Sequence, residues 1–298
     1  MIDGISVTRT STSTTSVAVP GATLACRVVG PEEGEVLLVV HGGPGESHDV
    51  LRPHLDALAS SARRIVYYDQ RGGGRSPLAR DSAPGDWRRH VEDLDAVRGH
   101  FTAGPVDVLG FSWGALLTVL YALEHREDVA RLVLVSPPPL HAGFGGERIR
   151  RDVEAARARP EVRAVEERAR ELASGSGDAA TRARAQFVAR VAPLLADPDR
   201  AWDLTPVDAR DDVARAVWDS LGTYDLRPRL ETLRGVPILV VGGTRDAATS
   251  STIADTAGLL GAEPAVLAEC GHAPFFESAD AFRATVEAFL GAHATRLA

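Results

Sequence analysis

The chain has 298 residues, 44% of them hydrophobic and 25% charged, with a formal charge of −8 at pH 7. This is the composition of a globular protein, and an acidic balance without a basic cluster argues against nucleic acid or an anionic membrane as partner. All 33 basic residues are arginine, which excludes Schiff-base chemistry, a lysine base and a lysine-held cofactor.

No apolar run approaches the roughly 20 residues that span a bilayer. The polar start "MIDGISVTRTSTSTTS" lacks the basic and apolar segments of a secretory signal. The expectation is a cytoplasmic protein. Its two cysteines, Cys26 and Cys270, form neither a metal pattern nor a disulfide framework. Cys26 reads as a core residue of a strand. Cys270, two positions before His272, is either a site-lining residue or a small buried one.

There is no internal repeat, and the Ser/Thr run from Thr8 to Ser16 reads as an edge strand or a frayed terminus. From there, strands are expected over Ala22–Val29, Val36–Val40, Arg64–Tyr68, Val106–Leu109, Leu132–Val135, Val236–Val241 and Ala265–Leu267. Most are continuous apolar runs, the pattern of strands buried on both faces. Helical spacing covers Leu51–Ser60, Trp87–Phe101, Ser112–Glu124 and Ala279–Ala292. Alternating strands and helices imply an α/β fold with a mostly parallel central sheet flanked by helices.

After "LVSPPP" the alternation stops. From about Leu140 to Arg234 no strand is evident, and Val162, Val165, Ala169 and Leu172 mark the apolar stripe of an amphipathic helix. "ASGSGDAA" breaks that helix, and further helical patterns follow over Arg182–Leu195 and Asp211–Leu221. The division expected is a core in two parts, 1–138 and 235–298, with a helical lid, 139–234, inserted between strands over the carboxyl edge of the sheet. Ligands of such folds bind at that edge.

The chemistry begins at "GFSWG". A buried strand passes into an apolar helix with no room for a loop, so Gly110 and Gly114 flank a tight turn with Ser112 at its apex. A serine there is either a helix cap or a nucleophile standing clear of the sheet. A nucleophilic serine needs a base. His90, His100, His125 and His293 fall in or beside helical patterns with charged neighbours and read as surface residues. His272, in "ECGHAPFFE", lies in a glycine-containing loop after a late strand and is the candidate base. Asp246, at the end of "VPILVVGGTRD", is the candidate carboxylate behind it, with helix capping as the plainer alternative. The chain order serine, aspartate, histidine is the one this type of fold uses. In "LLVVHGGPGESHD" a strand opens into a glycine turn whose Gly43 amide, with that of Trp113, would hold an oxyanion. Trp202 and Trp218, in the insertion, and Glu46, in the glycine turn, are candidate substrate contacts. The Trp113 ring is another candidate for the pocket wall.

These segments together resemble the α/β-hydrolase superfamily, and within it the proline iminopeptidase group: "HGGPG" at 41–45, "DQRGGGRS" at 69–76, "GFSWG" at 110–114, Asp246, and "GHAPFFE" at 271–277. The resemblance implies release of an N-terminal residue, often proline, from a small peptide; the expectation is a serine hydrolase that needs no cofactor or metal. It also implies that Asp69 and Arg71 support the oxyanion turn, and that lid carboxylates hold the substrate ammonium. The chain departs from the pattern at Ala247, where some relatives carry a glutamate. Its lid acids Glu147, Glu154, Glu161 and Asp219 have no clear counterpart. An esterase, lactonase or thioesterase of a small metabolite is the alternative. A lyase or cyclase, or a binding protein on the same scaffold, is more remote.

Overall fold

The computed structural model describes residues 11–175 and 177–292. The apolar runs assemble into one sheet of eight strands: β1 (Thr12–Val19), β2 (Ala22–Val29), β3 (Glu35–Val40), β4 (Arg63–Tyr68), β5 (Val106–Phe111), β6 (Val129–Val135), β7 (Ile238–Gly243) and β8 (Pro264–Leu267). Their order is β1-β2-β4-β3-β5-β6-β7-β8. β1 and β2, and β2 and β4, pair antiparallel, while β4 through β8 pair parallel. The Ser/Thr run therefore enters an edge strand from Thr12; Thr8 to Thr10 lie outside the described residues.

Successive side chains of a strand face opposite ways, and the core divides accordingly. Leu38, Val40, Val66, Tyr68 and Val108 pack on one face, against α1 (Trp87–Phe101) and α2 (Trp113–Glu124). Leu37, Val39, Ile65, Tyr67 and Leu109 pack on the other, where the last helix, Ala279–Ala292, supplies Phe282, Val286 and Leu290. Both faces need covering because both are apolar. The sequence of α2 is buried along its whole apolar length from Trp113 to Leu123.

Between β6 and β7 the chain is helical: α3 (Ala142–Arg157), α4 (Pro160–Ser174), α5 (Ala179–Val191) and α6 (Asp211–Leu221), with short 3-10 turns between α5 and α6. Val162, Val165 and Ala169 of α4 are buried as the stripe requires, whereas Leu172 is 38% exposed. Three elements differ from the sequence reading. Leu51–Ser60 is not one helix but two 3-10 turns, His48–Leu51 and His54–Leu58, because Pro53 has no N–H with which to continue a helix. α3 begins on Gly143, Gly145 and Gly146, whose low propensity hides it. α7 (Ile253–Leu259) is too short to declare a periodicity. The remaining helices are α8 (Pro274–Glu277) and α9 (Ala279–Ala292). No helix among the described residues is long and apolar enough to cross a membrane.

Of the histidines expected at the surface, His100 is exposed and His125 partly so. His90 is a correction: it is buried on α1, edge-on to the Trp113 ring. Burial holds its pKa down, to about 3, so it is a neutral packing group. His293 lies outside the described residues. Cys26 and Cys270 are both buried and free.

One buried ion pair ties the sheet to α9. Arg131 of β6 donates from Nε to Asp107 Oδ1 of β5 at 2.6 Å, and from Nη1 to the Leu290 carbonyl. Removing the guanidinium strands a buried carboxylate, so Arg131→Ala is expected to lose about 3–5 kcal/mol of stability. A denaturant midpoint within error of wild type would contradict this.

Candidate active site

The turn from β5 to α2 is set by contact. A Cβ on Gly110 would lie 2.4 Å from the Gly114 carbonyl oxygen, and one on Gly114 would lie 2.2 Å from that of Val40. Only glycine fits either place. Ser112 between them is held at φ 53°, ψ −122°, an uncommon conformation for a residue with a side chain. Its N–H donates to the Val135 carbonyl at 2.8 Å, which locks the turn to the neighbouring strand.

The structure brings Ser112, His272 and Asp246 together from three loops at the carboxyl edge of the sheet. His272 Nε2 lies 3.0 Å from Ser112 Oγ, and His272 Nδ1 lies 2.7 Å from Asp246 Oδ2. An ionised carboxylate only accepts, so the proton of the neutral imidazole is on Nδ1 and Nε2 is free to accept from the hydroxyl. Asp246 also accepts from the Ala248 amide at 2.7 Å and from the Thr249 hydroxyl. Burial alone would raise the pKa of Asp246, but His272 and these donors hold it below the usual carboxylate range. For His272, burial opposes the charged form, yet the Asp246 carboxylate, with Glu277 and Glu46 beyond it, raises the pKa above 6.5.

The His272 loop is fixed by groups that the sequence reading did not single out. The Glu277 carboxylate accepts from the amides of Gly271 and Ala273, both at 3.1 Å, and of Ala196 in the insertion, at 2.8 Å. Ser136 Oγ donates to the His272 carbonyl at 2.9 Å, and the His272 amide donates to the Leu194 carbonyl at 2.9 Å. His272 is thereby attached to both the core and the insertion. The only signal in the sequence was an acid closing the "GHAPFFE" segment.

The glycine turn after β3 passes over the serine. A Cβ on Gly42 would lie 3.1 Å from Ser112 Cβ, and Gly43 takes φ +53° with its carbonyl accepting from the Glu46 amide at 3.0 Å. Trp113 is the first residue of α2, where an N–H has no partner within the helix. Gln70 joins these two elements: its Nε2 donates to the His41 carbonyl at 2.8 Å, and its Oε1 accepts from Trp113 Nε1 at 2.8 Å. Burial pushes His41 down to about 4, so it is neutral; its Nδ1 bonds the Gly42 carbonyl and its Nε2 accepts from the Gln70 amide. Asp69 accepts from the His48 amide at 2.9 Å and the Arg75 amide at 2.8 Å, and Arg71 pairs with buried Asp93 of α1. Gln70 and Asp69 thus tie the segment 69–76 to His41 and His48 on either side of the glycine turn, whereas Arg71 ties it to α1.

A cavity of about 180 Å³ opens beside Ser112 and His272, walled by apolar side chains that include Phe111, Phe275 and, from the insertion, Phe187, Leu194 and Leu204. Of the candidate substrate contacts, Glu46 lines it. Trp202 does not, packing half-buried against the core under the Arg168 guanidinium, and neither does Trp218, which is 39% exposed and rests edge-on against the Trp113 ring. The Trp113 indole is buried on Gln70 rather than in the cavity wall, and Cys270 is likewise absent from that wall. Among the described residues, one group has ligand atoms close enough for a metal ion: Asp95, His125 and Asp128, at the opposite end of α2 from Ser112. Arg98 already pairs with both of its carboxylates.

Residues 35–279 match the family model for the alpha/beta hydrolase fold, and the chain belongs to that family. It is similar to the proline iminopeptidase of Lactobacillus delbrueckii subsp. bulgaricus, 26% identical over 266 residues that cover 85% of this chain and 88% of the relative. Two solved structures superpose with a TM-score of 0.69: proline iminopeptidase from Mycobacterium smegmatis, 23% identical and covering 96% of this chain and 100% of that one, and a proline iminopeptidase-related protein from Thermus thermophilus, 25% identical and covering 95% and 98%.

Proposed function

We propose that the protein is a serine hydrolase that cleaves an ester or amide of a small apolar acyl group through an acyl-enzyme on Ser112. The observation that carries this reading is the continuous hydrogen-bonded line from Ser112 Oγ through His272 to Asp246, at 3.0 Å and 2.7 Å. The hydroxyl oxygen attacks the substrate carbonyl while its proton passes to His272 Nε2, and Asp246 stabilises the imidazolium. The oxyanion that forms is held by the amides of Gly43 and Trp113. As it collapses, the bond to the leaving group breaks and His272 returns the proton to that group. Water, deprotonated by the same imidazole, then attacks the acyl ester, freeing the acid and Ser112.

The apolar cavity supports a small acyl group, and the residues that the insertion contributes to its wall support a lid role for 139–234. The likeness to proline iminopeptidases favours amide cleavage as one form of the activity. Rates on p-nitrophenyl esters from acetyl to dodecanoyl, beside prolyl and alanyl naphthylamides, test the reading. The expected result is kcat/KM highest for the short esters and falling steeply toward dodecanoyl. A preference for dodecanoyl, or no cleavage of any ester or amide, would overturn it.

The same mechanism fixes the pH dependence. His272 acts as a base only when neutral, and its pKa lies above 6.5. Activity should therefore fall as pH drops, with the inflection of kcat/KM above 6.5 and not below it. A profile flat down to the carboxylate range would contradict a histidine base.

A further inference from the structure

The cavity wall is apolar except for the groups around Ser112 and one charged pair. Glu46 comes from the glycine turn and Arg190 from α5 of the insertion, and Arg190 Nη2 meets Glu46 Oε1 at 3.0 Å. Glu46 lies directly against the proposed oxyanion turn: a Cβ on Gly43 would sit 2.4 Å from Glu46 Cδ. Its carboxylate is also close enough to His272 for each to bias the other's charge. Arg190 is held by more than this bond. Its Nη2 donates to the Val207 carbonyl at 3.2 Å, and its guanidinium stands over the Phe187 ring, 5.4 Å from the centroid.

Among the described residues lining the cavity, Glu46 is the only acid, and its counter-ion is supplied by the protein itself. An acyl group carrying an α-ammonium would have to displace a guanidinium anchored on three sides, or sit unpaired beside it. A neutral acyl group rests on the apolar wall and leaves the Glu46–Arg190 pair intact. Like charge placed beside a fixed cation discriminates strongly against the wrong ligand.

We propose that Arg190 is a specificity-determining residue: by pairing with Glu46 it sets the cavity for neutral apolar acyl groups and against acyl groups bearing a protonated α-amine. This inference rests on the Ser112 reading. It places the substrate among simple carboxylic esters or acylated amines, and it identifies Glu46 as an ammonium site that the chain's own arginine occupies.

The test compares benzyl propionate with the benzyl ester of alanine, which differ by the amine alone, in wild type, R190Q, R190K, E46Q, the double variant R190Q/E46Q and S112A. Benzyl alcohol release gives kcat/KM for each ester. The ratio of the two values within one enzyme is independent of how much of a variant is folded. Wild type is expected to prefer the propionate by about tenfold or more, and R190Q to move the ratio toward the alanine ester by about the same factor. E46Q should not improve the alanine ester, the double variant should lose the gain of R190Q, and R190K should keep the wild-type ratio. A wild type that prefers the alanine ester and loses that preference in E46Q would overturn the proposal, as would an R190Q ratio equal to that of wild type. If S112A cleaves both esters as fast as wild type, the serine reading itself fails and this one with it. Ser112-dependent cleavage with an unmoved ratio defeats this one alone.

Discussion

Ser112→Ala is expected to lower kcat by about 10⁴–10⁶-fold while leaving the thermal midpoint nearly unchanged. The substitution keeps the Cβ, so the turn at φ 53°, ψ −122° meets no new contact, and the Ser112 amide keeps its bond to Val135. The hydrogen bond lost is the one from Oγ to His272 Nε2. Any residual rate would come from the oxyanion amides and binding acting on water alone. Measuring kcat and the melting curve on the same preparation separates chemistry from folding. A variant that keeps a large share of the activity would show that Ser112 is not the nucleophile; its hydroxyl makes no capping bond to α2 either.

Asp246→Asn should cost about 10⁴ in kcat at neutral pH, because it disturbs the imidazole rather than the geometry around it. The carboxylate accepts from His272 Nδ1, from the Ala248 amide and from the Thr249 hydroxyl. A carboxamide has one acceptor oxygen and an NH2 that only donates. With its oxygen kept by Ala248, the NH2 faces Nδ1 and forces the proton onto Nε2, where the ring no longer accepts from Ser112. The variant should also lose the raised pKa of His272, since the Asp246 charge is its main support. Steady-state rates across pH check both effects. A loss below about tenfold would mean that Glu277 or Glu46, the other carboxylates near His272, substitutes for it.

Those residues were legible from the sequence because each depends on a local constraint. Gly110 and Gly114 announce a turn too tight for any other residue, and the strand and helix on either side place Ser112 at its apex. Asp246 and His272 each follow an apolar strand, so the parallel sheet delivers both to one edge. What was not legible depends on contacts between distant segments. Glu46 and Arg190 are far apart in the chain, and neither spacing nor periodicity reveals that they meet. His90 reads as a surface residue because its neighbours are charged, yet it falls on the buried stripe of α1 under Trp113. The place of Trp113 beside the serine predicts its ring at the pocket wall. Instead its indole turns to Gln70, a partner supplied by the loop after β4. In the fold, the pattern fails where proline or glycine interrupts it, at Pro53 and at the start of α3, and where an element is too short to show a period, at α7.

Ser112 as nucleophile is tested most directly by treating the native protein with a fluorophosphonate and locating the adduct by peptide mapping. The expected result is one equivalent bound per chain, on the oxygen of Ser112, with labelling lost on prior unfolding and strongly slowed in His272→Ala. An adduct on another residue, or none on folded protein, would contradict it.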